Sequence, residues 1–116
     1  MKRIFTLTLT MLVTWAIFAQ APQKFSYQAV VRDASDALVK NTSVGMKVSI
    51  LQGSATGSAA YIETHIPTTN ANGLVSIEIG GGTVVNGNIS TINWGSDKFY
   101  IKTEIDPAGG TNYTIT

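Results

Sequence analysis

The residue type best suited to acid–base chemistry near neutral pH occurs once, because His65 is the only histidine and the chain has no cysteine. A hydrolytic triad would need this imidazole beside a Ser or Thr hydroxyl and a carboxylate, and a zinc site would need further strong ligands. We therefore interpret His65 as a polar residue at the end of a strand. The sequence predicts no catalytic residue, no metal ion and no cofactor.

The carboxylates are spaced like surface residues of strands rather than like a catalytic pair. Glu63, Glu78 and Glu104 each lie in a segment that alternates apolar and polar residues, and we expect all three to face solvent. A glycosidase would need two carboxylates facing each other across a cleft, one of them in an apolar setting. Asp33 and Asp36 lack the regular spacing and the closing glutamate of a calcium loop. We interpret these two aspartates as part of a turn.

A glycine run and the aromatic residues also suggest ligands. Gly80-Gly81-Gly82 is not a phosphate loop, since no Lys followed by Ser or Thr comes after it and no helix is predicted there. The aromatic residues lie on separate predicted segments, and we interpret them chiefly as packing residues. The alternative is a platform that binds a sugar, for which the candidate residues are Trp94, Tyr61 and Tyr100.

Residues 1–19 have the composition of a signal peptide. Lys2 and Arg3 supply a positive start, residues 4–18 are uncharged and largely apolar, and Ala19 is a small residue before the expected cleavage point. The apolar stretch is shorter than the roughly 20 residues that a membrane-spanning helix needs. We predict cleavage before Gln20, with no membrane span afterwards and with export to the cell surface, the medium or the periplasm. The alternative is an uncleaved anchor.

Charge and cysteine content narrow the classes of function. Removal of residues 1–19 leaves six basic residues against seven acidic ones, so the mature net charge is −1. No basic patch remains that could neutralise a series of phosphates, and we expect no binding to nucleic acid. Without cysteine there are no disulfides, so core packing and strand pairing must stabilise the domain.

Alternation with period 2 is the main structural signal, and it is clearest from Thr42 to Leu51, which we interpret as a half-buried strand. The apolar residues that share one face of this strand are Val44, Met46, Val48 and Ile50. The same pattern recurs in Phe25 to Arg32, Leu74 to Ile79 and Phe99 to Asp106. Because no segment after the signal peptide sustains a period of 3.6, the sequence predicts an all-β antiparallel β-sandwich of about seven short strands.

We place the β-sandwich domain at residues 25–116, after a lead-in at residues 20–24. Turn signals separate its predicted strands. Asn72-Gly73 tolerates positive φ and predicts a hairpin or tight turn just before Leu74. Pro107 to Gly110 predicts a second turn, and Tyr113 to Thr116 begins another extended segment where the sequence stops. We expect the domain to be incomplete at its C-terminus. A strand edge left open in this way predicts either a marginally stable monomer or a strand-paired homodimer.

Four runs carry a resemblance to a known group of proteins. Together, FSYQAVVRD, LQGSATG, NANGLVSI and EIDPAGGTNYT resemble the N-terminal β-sandwich domain of a broad group of exported bacterial surface proteins. That domain directly follows the signal peptide, and we expect this sequence to be truncated before the group's usual downstream region. The strand and turn order is more loosely similar to the transthyretin-like and carboxypeptidase-regulatory-like domains.

The resemblance implies a partner that is a protein or the rest of a longer surface protein, and it implies no activity. We therefore expect a non-catalytic structural or interaction module of a secreted or cell-surface bacterial protein. The alternative is a carbohydrate-binding or adhesion module that uses surface aromatics.

Overall fold

The computed structural model describes residues 24–116, and the structural statements below concern that part of the chain. Its elements, in chain order, are β1 (Phe25–Val30), β2 (Gly45–Gln52), β3 (Ala59–His65), β4 (Leu74–Ile79), β5 (Thr83–Asn86), a 3₁₀ helix (Ile89–Thr91) and β6 (Phe99–Asp106). The prediction of an all-β fold is confirmed. The predicted signal peptide and residues 20–23 of the lead-in lie outside the described residues.

The strands form two antiparallel sheets. β1 pairs with β4 in a two-stranded sheet, and the other four strands form a sheet in the order β5-β3-β2-β6. β2 is a central strand of the larger sheet, because β3 pairs with one of its edges and β6 with the other. The chain therefore crosses from the larger sheet to the smaller one after β3, and returns after β4.

The two sheets pack face to face around one apolar core, as expected for a β-sandwich. β1, β2 and β4 turn their predicted apolar faces to this core, and Tyr27 and Ala29 of β1 are partly buried against it. Its buried members are Val31, Val44, Met46, Val48, Val75, Ile77, Ile79 and Ile105.

β2 is more deeply buried than a half-buried strand would be. Ser49 and Leu51, on the face opposite to Val48 and Ile50, are also buried. Neighbouring strands flank β2 on both edges, and the segment after β6 returns to this outer face. There the ring of Tyr113 lies 5.9 Å from Nζ of Lys47.

Two aspartates organise the predicted turns by accepting backbone N–H groups. Oδ1 of Asp33 accepts from the backbone N–H groups of Ser35 (2.8 Å) and Ala37 (3.0 Å), so the turn that follows β1 is confirmed. The carboxylate of Asp106 accepts from the backbone N–H groups of Ala108 and Asn112, both at 3.0 Å. These are the local side-chain to backbone bonds that favour Asp in turns.

Asn72-Gly73 forms a tight turn but not a β3–β4 hairpin. Gly73 has a φ of 76° and donates its N–H to the carbonyl of Asn70 at 3.0 Å. The two strands that this turn separates belong to different sheets, so the connection changes sheet instead of reversing within one.

The last residues lie along the outer edge of β6. The N–H of Ile105 donates to the carbonyl of Ile115 at 2.7 Å, and the two residues form an isolated antiparallel bridge. Within residues 24–116, no helix has the length and apolar composition needed to cross a membrane.

Candidate functional site

Strand β3 carries three polar or amphipathic side chains on one face, namely Tyr61, Glu63 and His65. Strand residues two apart point the same way, and these three pair across the ladder with Ile50, Val48 and Met46 of β2. They therefore share the core-facing side of the larger sheet. Glu63 is 0% exposed, so the prediction that Glu63 faces solvent is wrong.

The carboxylate of Glu63 is held by backbone donors from the glycine run that follows β4. The N–H of Gly80 donates to Oε1 at 2.6 Å, and the N–H of Gly82 donates to Oε2 at 3.1 Å. Nε2 of His65 also bonds to Oε2. Because both oxygens already act as acceptors, we assign the proton of the imidazole to Nε2.

The glycine run suits this task for steric reasons. Gly80 has a φ of 101°, a region that residues with a Cβ rarely adopt. A Cβ added to Gly82 would lie 2.5 Å from Nε2 of His65 and 2.6 Å from Oε2 of Glu63. Gly80-Gly81-Gly82 is therefore a loop that binds an anion, and the anion is the side chain of Glu63.

Tyr61 completes the polar row on β3. Burial raises the pKa of Tyr61 from 10.0 to about 12, and the nearby carboxylate of Glu63 acts in the same direction. Each of these effects favours the neutral phenol. We name the set Tyr61, Glu63, His65, Gly80 and Gly82 the Glu63 cluster.

The Glu63 cluster contains a carboxylate–imidazole pair, the arrangement that orients histidine in catalytic triads. The side chain of His65 is 12% exposed, so the imidazole lies near the surface. No hydrogen bond among the described residues joins a Ser or Thr hydroxyl to His65. In the same part of the chain, no three His, Asp or Glu side chains are grouped so that they could hold a metal ion.

The predicted sugar-binding residues do not form one surface. Tyr61 is buried on the core side of the larger sheet, whereas Tyr100 pairs with Leu51 and lies on the outer side. Trp94 is exposed and contacts Phe99 edge to face, with ring centroids 5.2 Å apart. Trp94 and Tyr100 are therefore exposed aromatic residues that a ligand could reach, whereas Tyr61 is buried.

The other predicted carboxylates lie on outer faces. Glu78 is exposed on β4, as predicted. Glu104 lies on the outer side of β6, where its Oε1 is 3.8 Å from Nζ of Lys102. His65 is the last residue of β3, as predicted, but its bond to Glu63 was not expected from the sequence. The signal that could have revealed the cluster is the spacing Tyr61-x-Glu63-x-His65, which places all three on one side of a strand.

Replacing Glu63 by Ala should strongly destabilise the protein. The change leaves the N–H groups of Gly80 and Gly82 without their acceptor inside the fold, and we expect the free energy of unfolding to fall by about 3–5 kcal/mol. Glu78→Ala is the matched control, because Glu78 is an exposed strand glutamate, and it should change stability by less than about 0.5 kcal/mol. Urea denaturation of the two variants measures both values. Equal losses would contradict the assigned role of Glu63.

The raised pKa of Tyr61 predicts a loss of stability in alkali. In the unfolded chain this phenol ionises near its ordinary value of 10.0, and in the folded chain it ionises near 12. The stabilisation is therefore complete below pH 10 and is lost as the pH rises through 12. Urea denaturation at a series of alkaline pH values should give a steeper decline for the wild type than for Tyr61→Phe, with Tyr100→Phe as control. Parallel declines would contradict this prediction.

Comparison with known proteins gives one match. Residues 26–116 match a family model described as a domain of unknown function, DUF8740. No curated protein and no solved structure matches the chain. The match covers β2 to β6 in full and all of β1 except Phe25. The chain therefore belongs to the DUF8740 family.

Proposed function

We propose that the chain is a non-catalytic structural or interaction module of a secreted or cell-surface bacterial protein. The observation that carries this proposal is the state of Glu63, whose two oxygens accept from Gly80, Gly82 and His65 inside the fold. A general base needs a lone pair within reach of the substrate's proton. The occupied and buried carboxylate favours a structural role, in which it joins the loop between β4 and β5 to the face of β3.

The surface of the larger sheet favours a protein partner. Large apolar side chains are exposed in neighbouring pairs on the two opposite edge strands, β5 and β6, and singly in the adjoining loops, and contiguous exposed apolar surface commonly marks interaction sites. They include Ile66, Val84, Val85, Trp94, Tyr100 and Ile101. A partner protein, or another part of a longer surface protein, would cover one of these edges on binding.

A carbohydrate-binding or adhesion module is the second candidate, and one observation favours it. The exposed ring of Trp94 contacts Phe99, and Phe99 lines a shallow depression together with Gln52, Asn93 and Ser96. Aromatic faces next to amide and hydroxyl groups suit the apolar and polar sides of a sugar ring. Tyr61 takes no part in this candidate site, because its ring is buried.

Export can be tested on the full chain in a bacterial host. We expect the protein outside the cytoplasm, and we expect mass spectrometry to give an N-terminus at Gln20, since Ala19 is the small residue before the expected cleavage point. The matched control is a chain that lacks residues 1–19, which should stay in the cytoplasm. A full chain that remains in the cytoplasm and still begins at Met1 would contradict export.

Assays on a protein spanning residues 20–116, which contains every described element, separate the candidate functions. We expect no turnover of ester, peptide or glycoside substrates and no binding on a glycan array. Turnover that His65→Gln removes, with an unchanged melting temperature, would contradict the proposal. Glycan binding that Trp94→Ala removes would favour the second candidate, and Val85→Ala is the control for loss of an exposed apolar side chain.

A further inference from the structure

We propose that Asn86-Gly87 is a site of spontaneous deamidation in the folded protein, which converts Asn86 to aspartate or isoaspartate. The sequence has two asparagines that are followed by glycine, Asn72 and Asn86, and glycine leaves the least hindered backbone nitrogen for this reaction. The structure separates the two, because it encloses one and leaves the other open. This inference goes beyond the proposed function and does not depend on it.

The reaction consumes only water. The backbone nitrogen of Gly87, after losing its proton to hydroxide, attacks Cγ of Asn86, so that a new C–N bond forms and the side-chain nitrogen leaves as ammonia. The product is a five-membered succinimide ring. Water then adds to one of the two ring carbonyls and opens the ring, which gives aspartate or isoaspartate. One water is consumed and one ammonia is released, with no oxidant or reductant.

Asn72-Gly73 is closed to this reaction in the folded chain. Gly73 is buried, and its N–H donates to the carbonyl of Asn70 at 3.0 Å. The side-chain oxygen of Asn70 also accepts from the N–H groups of Asn72 (2.8 Å) and Leu74 (3.0 Å), so the main chain on both sides of Asn72 is fixed. Attack at Asn72 would break these bonds at a site away from water. The turn therefore protects its own asparagine.

Asn86-Gly87 lies open at the end of the edge strand β5. Both residues are exposed, and the hydrogen bonds of residues 24–116 include none from the N–H of Gly87. β5 pairs with β3 through three residue pairs, and a register shift separates the pair Asn86–Ile62 from the other two. The end of such a short ladder opens at low free energy. The main chain of Asn86 can therefore turn so that the nitrogen of Gly87 reaches Cγ.

Isoaspartate would change the chain at a tightly packed point. It adds one methylene to the main chain and one negative charge, whereas aspartate adds the charge alone. A Cβ placed on Gly87 would lie 2.4 Å from the carbonyl oxygen of Ala60, so the backbone here runs directly against β3. A longer main chain cannot keep both this contact and the pair between Asn86 and Ile62. We therefore expect isoaspartate to release the loop of residues 87–98, which carries Trp94.

Incubation of the protein of residues 20–116 at mildly alkaline pH, with and without urea, tests the site. Cleavage after glutamate places Asn72 on the peptide 64–78 and Asn86 on the peptide 79–104, and mass spectrometry then follows each asparagine separately. In urea we expect the two asparagines to react within about threefold of each other. In the folded protein Asn86 should react at least about tenfold faster than Asn72, because the Asn72 site must first open.

Two variants with matched controls complete the test. Asn86→Gln should remove the fast modification, because glutamine would have to form a less favourable six-membered ring, and Asn72→Gln should leave the rate at Asn86 unchanged. Asn86→Asp reproduces the added charge without the extra methylene. Limited proteolysis within residues 87–98 should therefore be faster for the isoaspartate form than for Asn86→Asp, which should match the unmodified wild type. Circular dichroism checks that each variant folds.

Two results would overturn the assigned site. They are a rate at Asn72 that equals or exceeds the rate at Asn86 in the folded protein, and a fast modification that persists in Asn86→Gln. Equal proteolysis of the isoaspartate form and of Asn86→Asp would overturn the release of the loop. If Asn86→Gln does not fold, the comparison of the two asparagines within the wild type decides the question, since it needs no variant.

Discussion

The structure depends on one buried carboxylate. Moving an ionised glutamate out of water is costly unless hydrogen bonds and opposite charge replace its hydration. Glu63 receives those bonds from Gly80, Gly82 and His65, and no buried side-chain polar atom among the described residues lacks a partner. The position of the β4–β5 loop is thus tied to the face of β3. One interaction sets how the chain returns from the smaller sheet to the larger one.

Apolar packing around β2 holds the two sheets together. With no cysteine in the sequence, no disulfide holds the two sheets together, and the core between them must do so. The smaller sheet has two strands and the larger one has four, so the coverage of the larger sheet is uneven. Val48 at the centre of β2 is fully buried, whereas Ile101 on the same face of β6 is 44% exposed. The apolar face of the larger sheet is therefore less well covered at β6 than at β2.

Alternation predicted the buried faces of β1, β2 and β4 because each offers one clear apolar side. β3 is different, since two patterns compete within it. Ile62, Thr64 and Ile66 form the more apolar set, and choosing that set as the buried one turns Glu63 towards solvent. In the structure Ile66 is 74% exposed and the other set faces the core. Hydropathy therefore predicted the wrong buried face for β3. The backbone donors that stabilise Glu63 lie about twenty residues further along the chain, so the local pattern gives no sign of them.

The amino-acid sequence by itself determined the all-β character, the positions of β1, β2, β4 and β6, and the turns at Asp33 and at Asn72-Gly73. These features follow from side-chain period and from local backbone preferences, which depend on neighbouring residues. The tertiary structure decided that β4 pairs with β1 rather than with β3, and that Glu63 meets His65 beneath the glycine run. Those outcomes depend on which distant donors reach which acceptors, and a contact between segments remote in the chain leaves no local periodic signal.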